Sequence, residues 1–90
     1  GISSLILLEQ VTAICRDKGF EVTNIDSIIV AQKPKLASFL PDMKKNISQA
    51  MAIDIGQINI KATTTEKLGF AGKEEGIAAY AVALLSKTVN

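Results

Sequence analysis

The first twenty residues carry apolar side chains at spacings of three and four. The stripe consists of Leu5, Leu8, Val11 or Thr12, and Cys15, with Ile6, Leu7 and Ile14 widening it. This spacing predicts an α-helix with a broad buried face. Ser3 or Ser4 can cap its first turn, and Gly19 can adopt the left-handed conformation that ends a helix.

From residue 21 the pattern changes to a nearly unbroken run of β-branched residues. Its apolar members are Val22, Ile25, Ile28, Ile29 and Val30. A run of this kind predicts a strand that is covered on both faces. The strand should end within residues 31–35, where Pro34 disfavours helical structure at Lys33.

A second helix is expected from about Pro41, because proline suits the first turn of a helix. Its apolar stripe consists of Met43, Ile47, Ala50 and Met51. Gly56 marks the turn that follows. Beyond this turn Ile58, Ile60 and Ala62 alternate with polar residues, which predicts a half-buried strand.

The final segment, residues 77–87, fits two structures. Its four Ala and two Leu favour a helix by propensity. With a period of two, Ala79, Ala81 and Ala83 instead form a small-residue face that suits close contact between sheets. The residues alone leave this choice open. The order is therefore helix, strand, helix, strand, loop and a last segment, which is an α+β arrangement.

The composition restricts the classes of function. Hydrophobic residues make up 48% of the chain, which argues against disorder. The net charge is +1 and there is no polybasic run, so a nucleic-acid partner is not expected. The longest apolar stretch, residues 5–8, is too short to cross a membrane. A single cysteine favours a reducing compartment. The chain has no histidine, so it lacks the usual zinc ligands and the commonest general base.

Three segments could carry chemistry. Residues 31–36 follow a buried strand, where the ligands of α/β sheets gather. Residues 61–66 contain three consecutive threonines followed by Glu66. The hydroxyl groups can hold phosphate oxygens, and the carboxylate can hold a hard divalent cation. Residues 69–76 are expected to form a Gly-rich loop that contains Phe70 and Lys73. Taken singly, each segment is better explained as structure: a turn with solvated lysines, a strand-forming run of Thr, and a surface loop.

In this order and at these spacings, the three segments resemble the C-terminal portion of the methylerythritol cyclodiphosphate synthases. The shared strings are Ala-Gln-x-Pro-Lys-Leu, Lys-Ala-Thr-Thr-Thr-Glu-Lys-Leu-Gly-Phe-x-Gly and Glu-Gly-Ile-Ala, of which residues 63–70 are the most specific. The resemblance covers essentially the whole chain but little more than half of the family's length. Because the chain also lacks an initiator Met, we expect residues 1–90 to be the C-terminal part of a single synthase domain.

The resemblance implies a fold, an assembly and a reaction. The fold is α+β, a mixed β-sheet with helices on one face and a β-α-β-α-β-β core, here lacking the first strand, in which residues 77–87 form a strand. Three such sheets pack around the axis of a homotrimer, where the row of Ala79, Ala81 and Ala83 would fit. Family members are lyases of the non-mevalonate isoprenoid pathway. They convert 4-diphosphocytidyl-2-C-methyl-D-erythritol 2-phosphate into 2-C-methyl-D-erythritol 2,4-cyclodiphosphate and CMP.

The resemblance also implies two metals and a site shared between subunits. Zn²⁺ is bound by an Asp and two His of one subunit, which lie upstream of this piece, while the neighbouring subunit supplies the cytidine pocket. Mg²⁺ or Mn²⁺ bridges the two phosphates of the substrate. We therefore expect the piece alone to be inactive. The whole protein is expected in the cytoplasm of a bacterium, or in a plastid if it comes from a plant or alga.

The residues of this half-site are assigned by the resemblance, position by position. The stretch expected to read cytosine, mainly through its backbone, consists of Ala31, Gln32, Lys33, Pro34, Lys35, Leu36 and Ala37. The residues expected to contact the diphosphate are Thr63, Thr64 and Thr65. The Thr64 hydroxyl would stabilise the transition state, and Glu66 would bind Mg²⁺ or Mn²⁺. Phe70 and Lys73 would contact substrate, although many members carry Arg in place of Lys73, and Lys lacks the guanidinium fork.

Two interpretations of other classes stay open at this point. A small non-catalytic α+β nucleotide-binding module would explain the missing histidine and the short chain without truncation. A self-associating structural piece would use the Ala-rich strand as the core of an oligomer. A natural gene product of only this length would favour either of them, whereas specific binding of CMP over other nucleotides would favour the synthase.

Overall fold

A computed structural model describes residues 3–31, 34–64 and 77–88. Its regular elements are the helices α1 (Ser4–Asp17) and α2 (Leu40–Met51), the strands β1 (Phe20–Ala31), β2 (Ile58–Thr63) and β3 (Ile77–Lys87), and two 3₁₀ helices at Pro34–Phe39 and Ile55–Gln57. The predicted order of helices and strands is confirmed, while the 3₁₀ helices were not predicted. Within the described residues, no helix is long and apolar enough to cross a membrane.

Helix α1 begins and ends where the sequence predicts. The Ser3 hydroxyl accepts a hydrogen bond from the Leu5 amide at 3.2 Å, which satisfies one of the free N–H groups of the first turn. At the other end Gly19 has a φ of +88°, a left-handed conformation that glycine adopts without a steric penalty. This tight turn leads the chain directly into β1.

The sheet has the strand order β2-β1-β3. Strands β1 and β2 run parallel, and β3 pairs antiparallel with β1 along nearly its whole length, from Phe20↔Lys87 to Ala31↔Ile77. Residues 77–87 therefore form a strand rather than the helix that propensity alone favours. Pairing along the whole strand outweighs a helix preference of only a few tenths of a kcal/mol, roughly, per residue.

Both helices pack on one face of the sheet, and the core lies between them and strands β1 and β2. Its centre consists of Ile29, Ile58 and Ile60, which are at most 9% exposed. The side chains that pack against this centre are Leu36, Leu40, Met43, Ile47 and Ile53. Full burial of one aliphatic side chain contributes about 1.5–3 kcal/mol. This cluster therefore holds α2 and the first 3₁₀ helix against the sheet.

The other face of the sheet, called the open face below, is uncovered in the single chain. Its residues on β1 include Asn24, Asp26 and Ile28, all of them exposed. On β3 it carries Tyr80, Val82 and Leu84, which are 61–73% exposed. In the single chain β1 is therefore covered on one face only, and the expectation that it is covered on both faces stays a prediction for the assembled protein. Asn24 and Asp26 interrupt the apolar run on the outward side, and only the inward positions meet the helices.

The small residues of β3 face the helices rather than the open side. Ala81 and Ala83 pair across the sheet with Ser27 and Ile25, and they line a groove between β3 and α1, called the helix-side groove below. This placement corrects the expectation that the row of alanines mediates contact between sheets. A period of two separates the two faces of a strand but does not indicate which face meets the helices.

Helix α2 ends earlier than the position of Gly56 indicates. Ala52 adopts φ 53° and ψ 49°, and the Ile53 amide donates to the Ser48 carbonyl at 3.1 Å. This is the Schellman arrangement, which glycine normally closes. Gly56 lies in the second 3₁₀ helix, within the turn as predicted. Because alanine rarely takes the left-handed conformation, the sequence does not indicate this helix end.

A β-bulge interrupts the pairing of β1 with β3. The register shifts between Val22 and Asn24, so Thr23 is the extra residue of β1. The Gln57 side-chain amide donates to the carbonyl oxygens of Val22 and Thr23, at 3.1 Å each. The bulge is thus fixed by a residue from outside the strand.

Arg16 joins the ends of the two helices to the start of β1. Its Nε lies 2.7 Å from Oε1 of Glu21, and its Nη2 donates to the carbonyl oxygens of Met51 at 2.7 Å and Ala52 at 3.3 Å. These carbonyls end α2, where a cation complements the negative end of the helix dipole. The sequence patterns gave no indication of this link.

Candidate functional site

The carboxyl ends of β1 and β2 lie side by side at one edge of the sheet. The two strands are parallel, and Val30 pairs with Thr63. Ala31, the last residue of β1, is only 2% exposed, whereas Thr63 at the end of β2 is exposed. The structure therefore places the first candidate segment beside the second, at the edge where the ligands of such sheets bind.

The first 3₁₀ helix contains the second half of the first candidate segment, residues 34–36. It comprises Pro34–Phe39, and Leu36 anchors it by packing against the buried isoleucine cluster of β1 and β2. Ala37 is exposed next to this anchor. The backbone of residues 34–37 is therefore held at the rim of the core.

The two described threonines of the second segment present hydroxyl groups near the same edge. Oγ1 of Thr63 lies 3.5 Å from the carbonyl oxygen of Thr64, a distance at which a hydrogen bond is weak. Thr64 directly follows β2 and is half-buried. Since a hydroxyl rotates to suit its partner, both groups can turn toward an anionic ligand at small cost.

Several of the predicted site residues lie outside the residues that the structure describes. They are Gln32, Lys33, Thr65, Glu66, Phe70 and Lys73. For Pro34 and Lys35 the structure describes the backbone. It brings together Ala31, the 3₁₀ helix with Leu36 and Ala37, and the pair Thr63 and Thr64. The roles assigned to all of these residues stay predictions.

The residues of this chain are unsuitable ligands for Zn²⁺ but include a suitable ligand for Mg²⁺ or Mn²⁺. Residues 3–31, 34–64 and 77–88 contain no cluster of three or more His, Cys, Asp or Glu that could hold a metal ion. The sequence has no histidine, and Cys15 lines the apolar helix-side groove, so these residues do not fit a zinc site. A carboxylate that follows a run of hydroxyls, as Glu66 does, is a suitable donor set for Mg²⁺ or Mn²⁺.

A depression on the open face that is lined by both polar and apolar residues was not found by sequence reasoning. Its volume is about 320 Å³, and its lining includes Asp26, Asn59, Lys61 and Tyr80. Nδ2 of Asn59 donates to Oδ1 of Asp26 at 3.1 Å, across the parallel pair. Only the register of β1 against β2 brings these residues together, so the sequence pattern offers no signal. The open face is thus apolar along β3 and polar toward β2.

Known proteins are similar in sequence to this chain. The model of the YgbB family matches residues 1–86. The 2-C-methyl-D-erythritol 2,4-cyclodiphosphate synthase of Dehalococcoides mccartyi strain 195 is 56% identical over 87 residues, which are 97% of this chain and 55% of that protein. The chain therefore spans about half the length of the curated relatives that it matches.

Solved structures share its fold. The 2C-methyl-D-erythritol 2,4-cyclodiphosphate synthase of Plasmodium vivax has a TM-score of 0.92 at 30% identity, over 97% of this chain and 58% of that one. The Plasmodium falciparum IspF CDP complex has a TM-score of 0.91 at 33% identity, over 97% of this chain and 56% of that one. The predicted fold class, a mixed sheet with helices on one face, is confirmed by the structure and these matches.

Proposed function

Since this chain belongs to the YgbB family, which includes the 2-C-methyl-D-erythritol 2,4-cyclodiphosphate synthases, we propose that it forms the cytidine diphosphate-binding half of such an active site. The whole protein would be a lyase that converts 4-diphosphocytidyl-2-C-methyl-D-erythritol 2-phosphate into 2-C-methyl-D-erythritol 2,4-cyclodiphosphate and CMP. The observation that carries the proposal is the adjacency of the carboxyl ends of β1 and β2, which brings Ala31 and Thr63 to one edge.

The first 3₁₀ helix supplies a surface for the cytosine base. Leu36 is anchored in the core, and Ala31 is buried at the strand end. The backbone N–H groups of residues 35–37 and the C=O groups of residues 34–37 are therefore held in place before a ligand arrives. Preorganisation of this kind lowers the cost of binding. It supports the assignment of the base-reading role to this segment.

Thr63 and Thr64 are proposed to hold the diphosphate. In the reaction an oxygen of the 2-phosphate attacks the β-phosphorus, the bond from this phosphorus to the CMP oxygen breaks, and CMP leaves. The Thr64 hydroxyl would donate a hydrogen bond to a phosphoryl oxygen. This raises the rate to the extent that the bond is stronger in the transition state than in the ground state.

Glu66 would hold Mg²⁺ or Mn²⁺, and the ion when bound would screen the repulsion between the two phosphates. This assignment is supported by the carboxylate directly after the threonine run. Zn²⁺ would be held by residues that the resemblance places outside this chain. We expect the chain alone to bind nucleotide without turning substrate over.

The whole protein is further proposed to be a homotrimer whose sheets meet through the open face. Tyr80, Val82 and Leu84 expose a row of large side chains there, and a contiguous apolar patch of this kind usually marks a contact surface. The bacterial origin of the Dehalococcoides relative supports the proposal of a cytoplasmic location.

Calorimetric titration of the chain with nucleotides tests the proposed half-site. CMP and CDP should bind in preference to UMP and AMP. Thr64→Val keeps the shape of the side chain and removes its hydroxyl, so it should weaken the binding of CDP more than the binding of cytidine, which has no phosphate. Equal affinity for CMP, UMP and AMP would contradict the base pocket. Equal losses for CDP and cytidine would contradict the phosphate-binding role.

A further inference from the structure

Lys61 opens the second candidate segment, residues 61–66, and has no role in the proposed function. It lies on β2 and is exposed on the open face, where it lines the depression described above. Within residues 3–31, 34–64 and 77–88 its ammonium group makes no ion pair and no hydrogen bond. The described part of the chain thus leaves one positive charge on this face without a partner.

Lys61 lies on the same face of β2 as Thr63. Ile58 and Ile60 are buried on the helix side, so the alternate residues of the strand point to the open face. Two residues along a strand span about 6.6 Å, a distance that the four-carbon stem of lysine can cover. The ammonium group can therefore reach the space next to the Thr63 hydroxyl, which is proposed to hold the diphosphate.

Asp26 is the carboxylate of the depression that could compete with a phosphate for this lysine. Its Oδ1 accepts a hydrogen bond from Nδ2 of Asn59 at 3.1 Å, and it makes no ion pair with Lys61. The register places Asp26 opposite Asn59 and places Ile28, which has no charge, opposite Lys61. Asn59 therefore occupies the carboxylate, and the charge of Lys61 stays available to an anionic ligand at the edge of the sheet.

We propose that Lys61 is a further substrate-binding residue, whose ammonium group binds a non-bridging oxygen of the diphosphate beside Thr63. This role rests on the proposed function, because it presupposes the diphosphate at this edge. Lysine binds phosphate as a point charge, and the ammonium group stays protonated throughout. Its contribution is to attract and orient the charged part of the substrate, whereas the 3₁₀ helix holds the base.

A carboxylate of a neighbouring subunit is the other partner that this lysine could have, since the open face is also the proposed contact between subunits. Two observations favour the phosphate. Lys61 is only two residues from the carboxyl end of β2, where the candidate site lies. The strand order β2-β1-β3 also separates it from the apolar row of β3 by the whole width of β1.

Calorimetric titration of the chain with CDP and with cytidine tests this role. Lys61→Met keeps an unbranched stem and removes the charge, so it should weaken CDP binding about tenfold and cytidine binding less than about twofold. Lys61→Arg keeps the charge and should hold the affinity for CDP within about threefold of the wild-type value.

The matched control is Lys45→Met, which removes the same charge from an exposed position on α2, on the opposite side of the sheet. It should leave the affinity for CDP unchanged. Both lysines are exposed, so neither substitution should unfold the chain, which thermal melting checks.

The salt dependence of CDP binding gives a second measurement. Salt screens the attraction between exposed charges, so the affinity of the wild-type chain should fall as the ionic strength rises. The fall should be less steep in Lys61→Met, because one charge pair is lost. A purely structural effect of the substitution would instead lower the affinity by the same factor at every salt concentration.

Three results would overturn the proposal. The first is a wild-type affinity for CDP in Lys61→Met, and a simultaneous shift of sedimentation toward monomer would then assign the lysine to the subunit contact. The second is an equal loss for CDP and cytidine. The third is an equal loss of CDP affinity in Lys61→Met and Lys45→Met, which would indicate an effect of net charge alone.

The preference of the chain for CMP over UMP and AMP reports separately on the proposed function, and Lys61→Met should retain it. If that preference is present and Lys61→Met binds CDP as the wild type does, only the role of the lysine is excluded. If the wild-type chain binds no nucleotide, or binds all three equally, the proposed function fails and the role of Lys61 with it.

Discussion

Replacing Ala52 by glycine should make the fold more stable. The φ of 53° and ψ of 49° at Ala52 belong to a conformation that costs an L-residue about 1–2 kcal/mol, and glycine adopts it freely. The side chain is exposed, so its removal loses no packing. The greater freedom of glycine in the unfolded chain offsets part of the gain, by about 0.5–1 kcal/mol. Ala52→Gly should therefore raise the free energy of unfolding by about 0.5–1 kcal/mol.

Urea unfolding followed by circular dichroism measures this change as a shift of the midpoint at constant slope. For a domain of this size, 1 kcal/mol corresponds to a change in Tm of about 4–8 °C. The matched control is Ala50→Gly, the same substitution inside α2. It should lower the free energy of unfolding by about 1 kcal/mol. The hydrogen bond from the Ile53 amide to the Ser48 carbonyl involves only backbone atoms and is kept in both variants.

The two variants should thus change stability in opposite directions. Equal destabilisation by Ala52→Gly and Ala50→Gly would refute the reasoning, because the two residues would then share one backbone conformation. A change of slope in only one variant would instead locate the effect in the unfolded chain.

Other predictions concern the helix link, the assembly and the reaction. Arg16→Met should lower the free energy of unfolding by about 2 kcal/mol, because the charged hydrogen bonds to the end of α2 are lost. Glu21→Gln weakens only a partly exposed ion pair and should lower it by less than about 1 kcal/mol. Urea titrations of the two variants measure both changes. In the full-length protein, Val82→Glu should shift sedimentation toward monomer, and an unchanged trimer would argue against the open face as the contact. There Thr64→Val should lower kcat more than it changes KM, and Glu66→Ala should weaken the dependence on Mg²⁺ or Mn²⁺. If either variant shows wild-type kinetics at limiting metal concentration, the role assigned to that residue is excluded.

The elements that could be predicted from the sequence carry several independent signals. Helix α1 has a capping serine, an apolar stripe and a terminal glycine, and β2 alternates strictly between apolar and polar residues. The segment 77–87 has conflicting signals, since its alanines favour a helix locally. Its pairing with β1, which is remote in the sequence, decides the conformation. The resemblance to a known family supplied that information in advance.

The candidate segments could be selected from the sequence, but their surroundings could not be derived. The end of β1 and Thr63 meet at one edge, as parallel strands require. The first 3₁₀ helix was missed because no local pattern marks it; Leu36 is held there by contacts with side chains from two strands. The orientation of Ala81 and Ala83 was missed for a similar reason. The face of β3 that meets the helices depends on where α1 and α2 pack.

The bulge at Thr23 determines where β1 can change in length. Side chains alternate along a strand, so deletion of a residue elsewhere in β1 would exchange the inward and outward faces of part of the strand. Val22 and Ile25 both line the helix-side groove although they are three positions apart. Without Thr23 they would be two apart and would still share a face. Length variation among homologous chains should therefore accumulate at this position, and a one-residue gap here would leave the interior of the protein unchanged.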